Sequence, residues 1–376
     1  MRLGIPLLAV AMAGACADQE LVLEQETAAI EADRALLDQQ PTMLLEGEML
    51  SIPDSIGQAD MSQPVRIAFA GPPACKLAVA DALDRAIHLF DPAGNYETSI
   101  FGGGRDTSRL RSIGDMAISS NGSIVVANPL DEIGVFRLDG TYSKFSINKP
   151  DPDAISFSSL AVVDDTVFDH WILGVGARGD YSDWSSAMPS ILSYSGNGNP
   201  GRSFGRIQEY PGQVLNVAMN EGVLAAGIDT VWLGRRVDAT LTGHPVGGGV
   251  ERVVRLPLFH RMQPIRESPV PGVDGAREAI VEYHLQDLSI DGSGNFYVVQ
   301  AVSWPREEGG LFRPDLGLAV YGNDGSPLGL FDTSSGELRA VSVADSFIYL
   351  LVLNSERRRS EIYRYPNPLE ASWGCP

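Results

Sequence analysis

The hydrophobic positions of this chain fall in short runs rich in Val, Ile, Leu, Phe and Tyr, each closed by Gly, Asp, Asn or Pro. Runs of that length and composition, separated by turn formers, predict β-strands joined by tight turns. One unit recurs: an aromatic residue ends a strand, three residues follow, and then comes glycine. It reads Phe90-Asp-Pro-Ala-Gly94, Phe136-Arg-Leu-Asp-Gly140, Tyr194-Ser-Gly-Asn-Gly198 and Tyr321-Gly-Asn-Asp-Gly325. The pattern is that of a hairpin, in which the aromatic packs on a sheet face and glycine takes a positive φ that other residues resist.

Around this unit a larger repeat is legible. The apolar runs Ile87-His-Leu-Phe90, Ile133-Gly-Val-Phe136, Ile191-Leu-Ser-Tyr194 and Leu318-Ala-Val-Tyr321 lead into the four turns, and a second strand lies upstream of each, at 77–81, 124–128, 171–175 and 296–300. Before two of these come another strand and turn, at 115–122 and 287–294, and after the glycines a further strand follows, as at 96–101 and 142–147. That makes four strands per unit. The first three turn glycines are 46 and 58 residues apart, and the last gap of 127 fits two units. Four antiparallel strands at this period predict the blades of a β-propeller.

A degraded unit is expected at 214–256, with strands at 214–218, 230–234 and 250–254 around the glycine-rich stretch 243–249. The last unit has strands at 338–343, 347–352 and 361–365 but no clear fourth, for which the segment 64–70 is the candidate. The expectation is an all-β, six-bladed propeller of four-stranded antiparallel blades over residues 63–376, closed by joining its two chain ends.

The first residues differ in kind. Arg2 precedes a short apolar stretch ending in small residues, the form of a signal peptide at 1–15 and too short to span a membrane. The junction Ala13-Gly14-Ala15-Cys16 resembles a bacterial lipobox, with Ala13 where Leu is usual. The resemblance implies acylation of Cys16, and Ala17 after it leans toward the outer membrane. Ordinary cleavage after Ala15, giving a secreted protein, is the other reading. Residues 18–48 carry nine acidic side chains, one basic (Arg34) and no aromatic. That composition buries too little surface to offset chain entropy, so 16–62 is expected to be an acidic tether, flexible or partly helical over 24–37.

With Cys16 acylated, only Cys75 and Cys375 remain, one at the start of the folded body and one next to last in the chain. In an oxidising compartment a bridge between them would tie the ends of the ring, with two unpaired thiols as the alternative. The stretch Val79-Ala-Asp-Ala-Leu-Asp-Arg-Ala-Ile-His-Leu-Phe-Asp-Pro-Ala-Gly94 resembles an NHL-type repeat, and the array over 64–370 resembles bacterial six-bladed β-propeller lipoproteins related to that family. The resemblance implies the fold; for chemistry it implies little, since propellers carry many unrelated functions.

The formal charge of −20 excludes nucleic acid and direct docking on an anionic membrane. His88, His170, His244, His260 and His284 show no zinc spacing, and no nucleophile elbow, P-loop or dinucleotide fingerprint appears. His88 reads as a structural strand residue. The oxygens of Asp287-Leu-Ser-Ile-Asp291-Gly-Ser-Gly-Asn295 depart from a calcium loop and read as a turn.

Long excursions around Trp184, around Arg266 and around Trp304 are the better clues, because loops on rigid scaffolds carry sites. Together with His170 and His244 they are the candidate binding face. The functional expectation is a non-enzymatic, monomeric propeller displayed at a bacterial envelope membrane, binding protein, peptide or glycan and needing no cofactor. The alternative is a metal-dependent lactonase, lyase or hydrolase that uses calcium or zinc in the central channel.

Overall fold

The computed structural model describes residues 42–44, 47–53, 58–101, 113–128, 132–139, 141–147, 154–173, 189–208, 218–237, 239–257, 266–269, 277–280, 284–302, 315–332, 336–344, 346–354, 357–369 and 375. They form a six-bladed β-propeller. Blade 1 runs outward through Pro64–Ala70, Lys76–Asp81, Ala86–Phe90 and Tyr96–Phe101, and blade 2 through Asp115–Ile118, Ile124–Asn128, Glu132–Phe136 and Tyr142–Ser146. Blade 3 has Ala154–Val163, Thr166–Leu173 and Ile191–Ser195, its outer edge reduced to single bridges from Pro200 and Phe204. Blade 4 is Gly222–Ala226, Thr230–Arg235, Thr240–Pro245 and Arg252–Arg255. Blade 5 is Leu285–Ile290, Phe296–Val302, Asp315–Tyr321 and Pro327–Asp332, and blade 6 is Glu337–Val343, Phe347–Asn354 and Arg359–Pro366 with an added outer strand. Among the described residues no helix is long and apolar enough to cross a membrane.

The period-two alternation explains why the middle strands read as nearly unbroken apolar runs. In blade 1, Leu77, Val79 and Phe90 pack toward blade 6, while Ala78, Ala80, Ile87 and Leu89 pack toward blade 2. Both faces of a blade are thus covered, and each adjoining pair of blades encloses one apolar cluster. The recurring aromatics Phe90, Phe136, Tyr194 and Tyr321 are all buried. Their turn glycines Gly94, Gly198 and Gly325 have φ of 82°, 85° and 87°, as the hairpin reading requires. Gly140 lies outside the described residues.

Three assignments are corrected. The segment Pro64–Ala70 is the innermost strand of blade 1, not the missing strand of blade 6. That place is taken by Glu48–Met49, antiparallel to Arg359–Pro366, with Leu50 donating its N–H to Ile362 O at 2.8 Å. The expected tether 16–62 is therefore structured from Thr42. Thr42–Leu44 runs parallel to the outer strand of blade 5, and Ser51–Pro53 pairs with Gln58–Asp60. In blade 4 the innermost strand is Gly222–Ala226, whereas 218–220 form a helical turn and 214–217 lie outside the described residues.

Cys75 and Cys375 are joined by a disulfide, with Cα atoms 5.7 Å apart across 300 residues of chain. Ring closure thus rests on a strand from the segment before blade 1 and a covalent bond from the first turn of blade 1, both to the end of the chain at blade 6.

Candidate functional site

Side chains on the innermost strands clasp four of the six blade junctions, 1–2, 2–3, 3–4 and 5–6, around the central channel. Arg66 Nε donates to Asp115 Oδ1 at 3.2 Å, and Asp115 Oδ2 accepts the Leu160 N–H at 2.8 Å. Ser159 Oγ accepts the Leu224 N–H at 2.8 Å, and Asp287 Oδ2 accepts the Val341 N–H at 2.8 Å. The channel mouth is a cavity of about 920 Å³ lined by these inner strands. Burial raises the pKa of both carboxylates, that of Asp287 to about 7, because the hydrogen bonds only partly offset lost hydration. The charge of Asp115 across the channel also raises the proton affinity of Asp287. Sequence reading missed these clasps, because one geometric role is filled by both Asp and Ser.

A second cavity, of about 820 Å³, opens between blades 3 and 4. Arg202, Arg206, Arg235, Ser190, His244 and Glu251 line it. Arg202 and Arg206 are exposed and Arg235 is half-buried, and none has an ion-pair partner among the described residues. Arg202 lies over the Phe204 ring, 5.7 Å from its centroid. His244 is buried, and its Nδ1 lies 3.1 Å from Glu251 Oε1, so that nitrogen carries the proton. Desolvation lowers its pKa against the pull of Glu251, which leaves the ring neutral at pH 7. Among the described residues, His244 Nε2 and Ser190 Oγ have no hydrogen-bond partner. Between them sits Gly205 at φ 63°, where a Cβ would come within 2.4 Å of Ser190 Oγ. Glycine there keeps the cleft floor open.

Of the expected binding face, His244 belongs to this cleft as a buried floor residue, not an exposed one. His170 is corrected outright. It is fully buried in Thr166–Leu173, with Nδ1 and Nε2 each 3.0 Å from the main-chain oxygens of Ser190 and Asn220. Burial lowers its pKa to about 4, so the neutral ring donates to only one of these at a time. Arg266 lies in the two-stranded hairpin Arg266–Pro269 with Arg277–Ile280. Trp184, Trp304 and Cys16 lie outside the described residues. The turn at Asp291 is structural: Oδ1 accepts the N–H groups of Ser293 and Asn295, at 2.8 and 2.9 Å, and Oδ2 accepts Asn295 Nδ2. His88 is buried as expected, with Nδ1 2.7 Å from Ser99 Oγ.

Neither a family model nor a curated protein sequence matches the chain. Solved propellers do. A member of the duf4221 family from Bacteroides vulgatus aligns over 87% of this chain and 99% of its own, at 10% identity and a TM-score of 0.52. Regucalcin from Agrobacterium tumefaciens, described as a calcium-binding protein, aligns over 86% and 95% at 13% identity and 0.49. BamB from Moraxella catarrhalis aligns over 87% and 100% at 12% identity and 0.45. At such identities the likeness concerns the fold alone.

Proposed function

We propose that this protein is a non-enzymatic binding propeller, held at a bacterial envelope membrane through a lipid on Cys16, that takes an anionic ligand in the cleft between blades 3 and 4. The observation that carries this reading is the group of Arg202, Arg206 and Arg235 lining one cleft without ion-pair partners among the described residues, on a chain of net charge −20. A cleft whose described lining holds three arginines and one carboxylate, Glu251, is complementary to a carboxylate, sulfate or phosphate group, which arginine engages through paired N–H donors. The ligand would be an acidic glycan or peptide.

The enzymatic alternative places its chemistry in the central channel. There the carboxylates of Asp115 and Asp287 already accept main-chain N–H groups of the neighbouring blades, which favours a structural role for them. The deciding experiment is binding of the mature chain to an array of acidic and neutral oligosaccharides and peptides. Acidic probes are expected to be retained and lost at least tenfold in Arg206→Glu/Arg235→Glu. Equal retention of neutral probes, or no loss in the double variant, overturns the reading.

A further inference from the structure

The turn between the second and third strands of blade 1 gathers three ligand-type side chains. An oxygen of Asp81, an oxygen of Asp84 and a ring nitrogen of His88 lie within 4.8 Å of one another. The stretch Asp81-Ala-Leu-Asp84-Arg-Ala-Ile-His88 lets one hairpin carry the set. Asp81 and His88 are 0% and 1% exposed, while Asp84 is open to solvent.

The surroundings hold these groups in place without completing them. Asp81 Oδ2 accepts the Gln63 N–H at 2.8 Å, and Oδ1 accepts those of Leu83 and Asp84 at 3.0 Å. His88 is anchored through Nδ1 on Ser99 Oγ, and its buried Nε2 has no hydrogen-bond partner among the described residues. An imidazole fixed through one nitrogen and clustered with two carboxylates is the arrangement by which proteins orient a metal-binding histidine.

We propose that Asp81, Asp84 and His88 bind one divalent transition-metal ion, with Zn²⁺ the best match to the donor set. One imidazole and two carboxylates suit zinc, whereas calcium and magnesium prefer oxygen ligands alone. A tetrahedral shell at about 2.1 Å places ligand atoms about 3.4 Å apart, so a set that lies within 4.8 Å closes by up to about 1.4 Å on binding. Asp84 is the arm that moves: it is exposed, and Ser62 Oγ holds it by one hydrogen bond of 2.8 Å. The ion would fasten the hairpin to the Ser62–Gln63 backbone that leads into the innermost strand. None of the three residues lines the central channel or the cleft between blades 3 and 4, so the site is independent of ligand recognition.

The test uses tag-free, chelator-treated protein titrated with Zn²⁺ by calorimetry, with Co²⁺ absorption reporting geometry. One equivalent of Zn²⁺ is expected, together with tetrahedral Co²⁺ bands in the visible range. Asp84→Asn, an exposed change whose fold circular dichroism would verify, should weaken Zn²⁺ at least tenfold. His88→Gln should do the same if it folds. No stoichiometric Zn²⁺ in the parent chain, unchanged affinity in Asp84→Asn, or displacement of Zn²⁺ by equimolar Ca²⁺ overturns the site.

Discussion

Removing the Cys75–Cys375 bridge should cost this protein several kilocalories per mole without changing its folded architecture. The bridge closes a loop of 300 residues. In the chain-entropy relation a loop of that length restricts the unfolded ensemble by about 5–6 kcal/mol at 25 °C, and measured bridges usually return less, so about 3–6 kcal/mol is expected. The folded ring keeps its second closure, because Glu48–Met49 remains paired to the last strand of blade 6. The perturbation is the double variant Cys75→Ser/Cys375→Ser, which leaves no new odd thiol to mispair with Cys16. Urea unfolding followed by tryptophan fluorescence reads the loss, and Trp232, buried between blades 4 and 5, is a suitable reporter. The slope of the transition should also steepen, since the uncrosslinked unfolded chain exposes more surface. A thiol titration must first show the bridge in the parent protein. If it is present and the double variant loses less than about 1 kcal/mol, the entropic account of ring closure fails.

Three further outcomes follow from the same contacts. Asp287 has its pKa raised to about 7, so its proton stabilises the fold fully below about pH 4 and this contribution is lost as pH rises through 7. Asp287→Asn, which can still accept the Val341 N–H, should therefore gain stability over the parent protein between pH 4 and 8 in melting experiments; the ceiling is about 4 kcal/mol and water in the channel reduces it. Gly294→Ala would meet only Asn323 Cβ, at an ordinary contact distance of 3.6 Å, so at φ 83° it should cost about 1–2 kcal/mol from backbone strain. Gly198→Ala at φ 85° also drives a Cβ to 2.6 Å from Phe145, so denaturant melts should show the larger loss there. Leu50→Ala should destabilise by about 2–4 kcal/mol, since Leu50 packs in the cluster between blades 6 and 1; a neutral result would return that segment to the tether.

Much of this fold is local and therefore legible along the chain. The aromatic-x-x-x-Gly turns, the alternation that buries both blade faces and the period of the repeat are properties of neighbouring residues, and they identify blades 1, 2, 3 and 5. Blade 4 was misread at its inner edge because Val214-Leu-Asn-Val-Ala218 has strand composition, while the actual strand, Gly222-Val-Leu-Ala-Ala226, is made of smaller residues. Cys75 and Cys375 were paired correctly because a ring must bring its ends together.

Other features depend on contacts between residues far apart in sequence. Two residues in an acidic stretch, Glu48 and Met49, complete blade 6, and nothing in their own composition sets them apart; only the free edge left by Arg359–Pro366 selects them. The inter-blade clasps use Asp115, Ser159 and Asp287 in one geometric role with two side-chain types. The cationic cleft assembles Arg202 and Arg206 with Arg235 and His244 from two blades. The sequence by itself determined the repeated blade and the need for closure, because hydrophobic period and turn chemistry act over a few residues. Which segment closes the ring, and which side chains meet in the cleft, were decided only by the tertiary structure, which brings distant residues to a shared edge.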